Sequence, residues 1–212
     1  MHNHKRGILI VLSGPSGAGK GTICKELLKQ CDNLYLSVSA TTRNPREGEV
    51  EGVNYYFLTK DEFREKVAQN DFLEHAEVYG NYYGTPKSKV EEMLDSGKDV
   101  ILEIDIQGAL KVKEKATDGV FIFILPPSME ELKARIIKRG SETEESLMTR
   151  FKSAYQEINY VSKYNYAVVN DTVCEAVKKI EGILLAEKCR VDRIKESILE
   201  SKEGTIHEQL YD

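Results

Sequence analysis

Several residue types are scarce or absent in this sequence, and their absence excludes whole classes of protein. The 212-residue chain has no tryptophan, five prolines, four histidines and four cysteines. The cysteines are far from C-x-x-C spacing, which argues against a zinc site or a disulfide framework and predicts reduced, mostly buried thiols. The early apolar run Ile8 to Leu12 is too short for a secretory signal or a membrane span. We therefore expect a cytoplasmic protein that does not bind a membrane.

The net charge of the chain limits the classes of binding partner that we expect. Thirty basic residues against thirty-five acidic residues give a net charge of -5. Proteins that bind nucleic acid or membrane surfaces non-specifically normally carry net positive charge, so we expect no nucleic-acid partner, although a local basic cleft is not excluded. With 41% apolar and 31% charged residues, the composition is that of a soluble globular protein. The length suits one domain, or one core that carries inserted subdomains.

Short apolar runs alternate with helix-forming stretches along most of the chain. The runs are GILIVL (7–12), VILEID (100–105), VFIFIL (120–125) and YAVVN (166–170). Continuous runs of branched and aromatic residues are typical of strands buried on both faces of a parallel sheet. Helix-forming composition lies at 22–31, 107–116, 129–138 and 146–161. This alternation predicts an α/β fold in which helices cover both faces of a parallel sheet.

Three segments depart from the alternation. Residues 36–85 contain short alternating pieces and turn-forming residues, which predict a β-rich insertion with one helix near 60–70. The stretch KRGSETEES from Lys138 is polar and predicts a mobile connection between two helices. After Thr172 the sequence predicts one long helix, extending to about Ser201, with a frayed end.

A glycine-rich loop follows the first apolar run. In LSGPSGAGKGT the residues from Gly14 to Lys20 match G-x-x-x-x-G-K, but Gly21 stands where Ser or Thr is usual and the hydroxyl arrives at Thr22. Strand, glycines, lysine and helix are in the order that a phosphate-binding loop requires. Magnesium can be held by phosphate oxygens and water, so we expect the loop to function without a hydroxyl at position 21. The predicted nucleotide-binding residues are Gly14, Pro15, Ser16, Gly17, Ala18, Gly19, Lys20, Gly21 and Thr22.

Two carboxylates end the second apolar run. Glu103 and Asp105 are two residues apart, so an extended strand directs both side chains to the same side. Asp105 is placed to organise a magnesium ion, through water rather than by direct contact. The alternative is that Asp105 only caps the helix that begins near Gln107.

Two arginines lie beside a proline-containing turn in the insertion. Arg43 and Arg46 are three residues apart in TTRNPREGE and could form a fork for a phosphate dianion. The alternative is that both are solvated loop charges.

The stretch SVSATTRNPREGEVEGVNYYF resembles the guanylate kinase family, as do the glycine-rich loop before it and EHAEVYGNYYGTP after it. The resemblance extends over roughly Lys5 to Glu187. It implies a P-loop kinase fold with a three-layer core, a GMP-binding insertion and a helical lid. The implied activity is ATP-dependent phosphorylation of GMP, and of dGMP, to the diphosphate, with ATP as co-substrate and Mg²⁺ as cofactor. The implied domain covers 5–187, with a core at 5–35, 86–126 and 151–187, the insertion at 36–85 and the lid at 127–150; a helical tail follows at 188–212.

The resemblance also assigns residues. It implies that the phosphate of GMP is held by Arg43, Arg46, Tyr55 and Tyr83. It places Ser39, Glu74 and Thr85 around the guanine, with Glu103 and Asp105 lining the same pocket. The arginines of the lid, which close over ATP and stabilise the moving phosphoryl group, are Arg135, Arg139 and Arg150. Asn170 falls where the family approaches the adenosine of ATP.

These assignments are chemically consistent. Guanine has donors at N1 and N2 that a carboxylate such as Glu74 accepts, and the hydroxyls of Ser39 and Thr85 can serve the O6 acceptor. Adenine would present an acceptor at N1 to the carboxylate, so the site should discriminate strongly against AMP. Arg135 and Arg139 are four residues apart and share a helix face, and Gly140 ends that helix.

Two other functions remain possible at this point. A guanylate-kinase-like module could bind partner proteins without catalysis, although Lys20 and both arginine clusters are present. A kinase of another nucleoside monophosphate is the second alternative, against which the guanine-binding residues argue. The sequence leaves open whether the chain is a monomer or a homo-oligomer.

Overall fold

The computed structural model describes residues 6–78, 80–138 and 144–195 and has the predicted α/β architecture. The strands are β1 (Leu9–Ser13), β2 (Leu34–Leu36), β3 (Ala40–Thr41), β4 (Tyr56–Phe57), β5 (Phe72–Val78), β6 (Asn81–Pro86), β7 (Asp99–Glu103), β8 (Val120–Leu125) and β9 (Tyr166–Val169). The helices are α1 (Lys20–Gln30), α2 (Lys60–Ala68), α3 (Lys87–Asp95), α4 (Ile106–Lys115), α5 (Met129–Lys138), α6 (Glu144–Ile158) and α7 (Val173–Lys188), and a 3₁₀ helix (Asn159–Lys163) follows α6.

The main sheet has five parallel strands in the order β2-β7-β1-β8-β9. Strand β1 lies at its centre and all five of its residues are buried, because helices cover both faces. The four apolar runs predicted as strands are confirmed. Their carboxyl ends meet at one edge of the sheet, so the glycine-rich loop after β1 lies between the ends of β7 and β8.

Alternate residues of β1 enter two hydrophobic cores, one on each side of the sheet. Ile10 packs with residues of α1 and α7, including Leu27 and Ile180. Val11 packs on the opposite face with residues of α3 and α4, including Val112. Each such buried aliphatic side chain contributes about 1.5–3 kcal/mol of transfer free energy. The two cores make the core a three-layer structure, as expected.

Two elements were not predicted. Strand β2 has only three residues and lies at the edge of the main sheet, so it lacks the long apolar run that identified the others. Helix α3 has a largely polar sequence, and its buried residues are Val90 and Leu94. These two apolar residues are four apart, a helical spacing that could have predicted the helix from the sequence.

A second sheet, β4-β3-β6-β5, lies between β2 and β7 in chain order and forms the predicted β-rich insertion. Its single helix, α2, begins with a capping box in which Thr59 and Glu62 satisfy each other's backbone N–H groups. Phe63 of α2 stacks on Phe72 and Tyr82 of the sheet, with ring centroids 4.6 and 5.5 Å away. This small aromatic core fixes the helix on the sheet.

The prediction of one continuous C-terminal helix is wrong. Helix α7 ends at Lys188, and residues 191–195 form a separate helical turn. The buried Glu187 carboxylate accepts hydrogen bonds from Tyr166 and from Arg193, so the segment after α7 is held against the end of that helix. The predicted extension towards Ser201 lies outside the described residues. In the part of the chain that the structure describes, no helix is long and apolar enough to cross a membrane.

Candidate active site

The glycine-rich loop packs tightly against its surroundings. Gly14 has a φ of 139°, and a Cβ there would collide with the backbone carbonyl of Ile124. Gly19 has a φ of 92° and precedes the first residue of α1, where a Cβ would collide with the side-chain amide of Asn170. Gly19 has no side chain that could cap α1. The start of this helix is therefore suited to an anionic ligand, which can accept from the backbone N–H groups of the first turn.

Lys20 folds back over the loop. Its Nζ donates to the backbone carbonyl of Gly14 over 2.6 Å and to that of Pro15 over 3.3 Å. The ammonium group therefore lies above the loop, in the position from which it can reach a bound phosphate.

Glu103 and Asp105 lie beside the loop at the end of β7. A Cβ on Gly21 would come within 3.3 Å of Glu103 Oε1. Asp105 Oδ1 accepts from the N–H groups of Gln107 and Gly108 over 2.7 and 3.1 Å, so Asp105 caps helix α4. Capping uses one oxygen of Asp105, so a role at magnesium through the other oxygen stays a prediction.

Glu74 is a buried carboxylate in the second sheet. Its Oε1 accepts from the Thr85 hydroxyl over 2.7 Å, and its Oε2 packs so closely on Gly108 that a Cβ there would lie 2.6 Å away. Burial and, to a smaller extent, the nearby Asp105 raise the pKa of Glu74 to about 7, against the lowering effect of Thr85 and Lys111. The Thr85 hydroxyl donates to Glu74 in this structure, and a contact of Thr85 with guanine O6 stays a prediction.

The Ser39 hydroxyl is the other predicted donor to O6. Ser39 precedes β3 and is half-buried. Together with Tyr55 and Glu103, it lines a cleft of about 310 Å³. This cleft joins the second sheet to the end of β7.

Two of the residues predicted to hold the phosphate of GMP, Tyr55 and Tyr83, lie beside Arg43. Its guanidinium lies over the ring of Tyr55 at 5.4 Å and beside the hydroxyl of Tyr83. The rings of Tyr55 and Tyr83 are 6.1 Å apart. The Arg43 side chain is only 16% exposed, so the solvated-charge alternative is wrong for Arg43, whereas Arg46 is exposed.

Comparison with known proteins decides the family. A family model described as guanylate kinase matches residues 6–187. The guanylate kinase of Clostridium perfringens (strain SM101 / Type A) is 81% identical over 212 residues, which is all of this chain and 98% of the relative. The guanylate kinase of Clostridium tetani is 76% identical over 98% of this chain and all of the relative. The crystal structure of guanylate kinase from Anaplasma phagocytophilum superposes with a TM-score of 0.78 at 38% identity and covers 93% of this chain and 95% of that chain.

The chain belongs to the guanylate kinase family. It is accordingly an enzyme of the P-loop kinase type, and the resemblance inferred from its motifs is confirmed.

The predicted lid arginines are only partly described. Arg135, on α5, donates from Nε to Glu131 over 2.8 Å and from both terminal nitrogens to the backbone carbonyl of Asn170 at 3.3 and 3.4 Å. Arg139 lies outside the described residues. Arg150 belongs to α6, but its side chain lies outside the described part of the structure.

Asn170 directly follows β9 and holds the loop. Its side-chain Nδ2 donates to the backbone carbonyl of Ala18 over 2.7 Å, and the residue is only 3% exposed. A contact with the adenosine of ATP stays a prediction. The amide reaches the loop itself, which the sequence had not indicated.

Two acidic residues of the site were not identified from the sequence. Glu49 binds Arg43 and the backbone of Arg46, and its position within the family signature could have suggested this contact. Glu157 lies on α6; burial raises its pKa, while the Lys20 ammonium and the Ser16 N–H lower it. Because α6 is remote from the loop in sequence, no local pattern predicts that approach.

Proposed function

We propose that this chain transfers the terminal phosphoryl group of ATP to GMP, and also to dGMP, giving the diphosphate and ADP. The supporting observation is the arrangement of strand β6. Tyr83 and Thr85 are two residues apart on it and so face the same side. Thr85 pairs with Glu74 of β5, and Tyr83 lies beside Arg43. A group that reads a base and a group that binds a phosphate therefore share one face, as a nucleoside monophosphate requires.

In this proposal the buried carboxylate reads the base. Ionised Glu74 accepts from N1–H and the N2 amino group of guanine, and the Ser39 hydroxyl donates to O6. Adenine would direct the lone pair of N1 at the carboxylate, leaving both groups unpaired. The phosphate of GMP is held by Arg43, Arg46, Tyr55 and Tyr83.

The glycine-rich loop holds ATP. The backbone of residues 14–19 and the start of α1 bind its phosphates. Lys20 moves away from the carbonyls of Gly14 and Pro15 and neutralises negative charge on the phosphoryl group that is being transferred. A phosphate oxygen of GMP forms the new P–O bond while the bond to ADP breaks. Phosphoryl transfer depends on positioning and charge neutralisation, so no protein base is required.

The residues beside the loop suit magnesium. The carboxylate of Glu103 and the Oδ2 atom of Asp105, which does not cap the helix, are hard oxygen ligands of the kind that magnesium prefers. Among the described residues no three histidine, cysteine, aspartate or glutamate side chains form a metal-binding group. In this proposal the ion is held mainly by nucleotide and water, with Asp105 acting through water. Magnesium supplies neutralisation of phosphate charge when bound.

Other parts of the proposal concern the lid and the setting of the enzyme. Arg135, Arg139 and Arg150 close over ATP and stabilise charge on the transferring group, and Asn170 lies beside the adenosine. The enzyme works in the cytoplasm, without nucleic acid or membrane, as a monomer or homo-oligomer. No contact in the described part of the chain favours a non-catalytic binding module.

The test is ADP release in the presence of GMP, dGMP, AMP, CMP or UMP. We expect turnover with GMP and dGMP and little with the others. Glu74→Gln should raise the KM for GMP, because it removes a charge-assisted hydrogen bond. The loss of binding free energy should be about 1.5–3 kcal/mol.

Glu77→Gln is the matched control, since Glu77 lies on the same strand but is exposed. Its kinetics should equal those of the parent. Phosphorylation of AMP but not GMP would exclude the proposal, and binding of GMP without ADP release would favour the non-catalytic module.

A further inference from the structure

The turn that carries the two phosphate-binding arginines is held together by one carboxylate. Arg46 and Glu49 are the first and last residues of a tight turn, in which the Glu49 N–H donates to the Arg46 carbonyl over 3.0 Å. Gly48 within the turn has a φ of 81°. The Glu49 side chain then folds back into the turn that it ends.

Glu49 contacts both arginines. Its two carboxylate oxygens accept from Arg43 Nη2 over 2.8 and 2.9 Å. Its Oε2 also accepts from the backbone N–H of Arg46 over 2.7 Å. One side chain therefore fixes the side chain of one arginine and the backbone of the other.

These contacts leave Arg43 with a defined set of remaining donors. A guanidinium has five N–H groups. Nη2 faces Glu49, and Nη1 donates to the carbonyl of Asn44 over 2.6 Å. The guanidinium also lies over the ring of Tyr55, 5.4 Å from its centroid, and interacts with the hydroxyl of Tyr83. The side chain is therefore oriented before a ligand arrives.

The ion pair between Arg43 and Glu49 is largely shielded from solvent. The side chains of Arg43 and Glu49 are 16% and 18% exposed, so solvent screens their interaction less than at an open surface. Burial raises the pKa of Glu49, but the Arg46 N–H and the Arg43 guanidinium outweigh it and hold the pKa below its ordinary value. Glu49 is thus ionised throughout the neutral pH range.

A carboxylate at this place has two opposing effects on a phosphate ligand. Its negative charge weakens the attraction of Arg43 for a phosphate dianion. Its hydrogen bonds remove the conformational freedom that Arg43 would otherwise lose on binding. Because Glu49 contacts Arg43 from the side facing the turn and also fixes Arg46, the second effect should dominate.

We infer that Glu49 is a positioning residue for the monophosphate substrate, which pre-orients Arg43 and Arg46 to bind the phosphate and does not itself touch the substrate. This inference rests on the proposed function of the site. It concerns the phosphate alone, since Glu49 makes no contact with Glu74, Ser39 or Thr85 among the described residues.

The test compares ligands with and without the phosphate. Dissociation constants for GMP and guanosine are measured for the parent, Glu49→Gln and Glu49→Ala, together with KM and kcat at saturating ATP. We expect GMP to bind about tenfold more weakly or worse in both variants. Guanosine affinity should change less than twofold, and the KM for GMP should rise more than kcat falls.

Glu47→Gln is the matched control. Glu47 lies in the same turn and carries the same charge, but it is exposed and has no bonding partner among the described residues. Glu47→Gln should bind both ligands as the parent does.

Three results would overturn the inference. The first is unchanged or tighter GMP binding in Glu49→Gln. The second is an equal loss of GMP and guanosine binding, which would mean a general structural role. The third is an equal effect of Glu47→Gln, which would mean that only the charge of the turn matters. A parent chain that fails to phosphorylate GMP would instead overturn the proposed function, and this inference with it.

Discussion

The side-chain amide of Asn170 donates a hydrogen bond to the backbone carbonyl of Ala18 over 2.7 Å. This contact ties the end of strand β9 to the phosphate-binding loop, although 152 residues separate the two in sequence. The backbone carbonyl of the same residue accepts from Arg135 on α5. Asn170 is therefore the point at which the loop, the sheet and a predicted lid helix meet.

Loss of the Asn170 amide should affect ATP more than GMP. In Asn170→Ala the Ala18 carbonyl loses its donor, so the loop becomes less ordered and the KM for ATP should rise several-fold. Stability should fall by about 1 kcal/mol, the usual contribution of one hydrogen bond. Steady-state kinetics with each substrate varied, together with thermal unfolding, test this prediction.

The control for this variant is Asn165→Ala. The Asn165 side chain accepts from the N–H of Phe121 near the opposite end of β9. A similar loss of stability with an unchanged KM for ATP is expected there. If both variants affect ATP equally, the amide of Asn170 has no specific role at the loop.

Three substitutions in the loop should rank in a fixed order of damage. Lys20→Ala should lower kcat most, because it removes the loop's only positive charge at the phosphates. Thr22→Ala should cost less, since it removes a hydroxyl from the first turn of α1. Gly21→Ser should cost least, because a Cβ there comes within 3.3 Å of the Glu103 carboxylate, a contact that a shift of a few tenths of an ångström relieves.

Titration of magnesium with each loop variant provides the measurement. The Gly21→Ser enzyme should remain active, with a modest change in its magnesium dependence. A serine variant many times faster than the parent at low magnesium would mean that the natural loop is impaired.

Binding of GMP should depend on pH through Glu74. Its pKa is about 7 in the unliganded protein because the carboxyl is buried, with Asp105 and Lys111 as its charged neighbours. The ionised form accepts from guanine, so GMP affinity should be highest above pH 7 and fall as the pH is lowered through 7. Calorimetry should detect release of a proton from Glu74 on GMP binding at pH 6 and much less release at pH 8, and Glu74→Gln should abolish this contribution.

The same carboxyl should affect unfolding in the opposite direction. Its folded-state pKa lies above the ordinary value of 4.5. Its contribution to stability is therefore fully present below about pH 4.5 and is lost as the pH rises through 7, by roughly 3 kcal/mol at most. Glu74→Gln should unfold at a higher denaturant concentration than the parent at pH 8, with a smaller difference at pH 5. No such trend would mean that the carboxyl is solvated.

The segment after α7 should be held by Arg193 and not by Arg190. Glu187 is 3% exposed, and Arg193 donates to its Oε2 over 3.2 and 3.3 Å while also donating to the Asp118 carbonyl. Arg193→Ala leaves a buried carboxylate without its main partner and should cost about 1–3 kcal/mol. Arg190 is 53% exposed, so Arg190→Ala should cost less than about 1 kcal/mol. Equal effects in denaturant unfolding would contradict the prediction.

The sequence by itself determined the class of fold and the chemistry of the site. Runs such as VFIFIL form buried parallel strands because few other arrangements cover both faces of an apolar segment. The order of strand, Gly14–Lys20 and helix predicts a phosphate loop because the glycine conformations and the helix start are local properties. The signature around Arg43 indicated the family for the same reason: its residues lie close together in the chain.

Only the tertiary structure decided how these residues are held. Strand β2 is too short to be distinguished by its sequence, since its edge position depends on pairing with β7. Thr85 donates to Glu74 because β5 and β6 pair in a particular register, and a shift of one residue would separate them. The brace from Asn170 to Ala18, the approach of Glu157 to Lys20 and the turn after Glu187 join segments far apart in the chain. Local propensity carries no information about such contacts, because packing of the whole core brings them together.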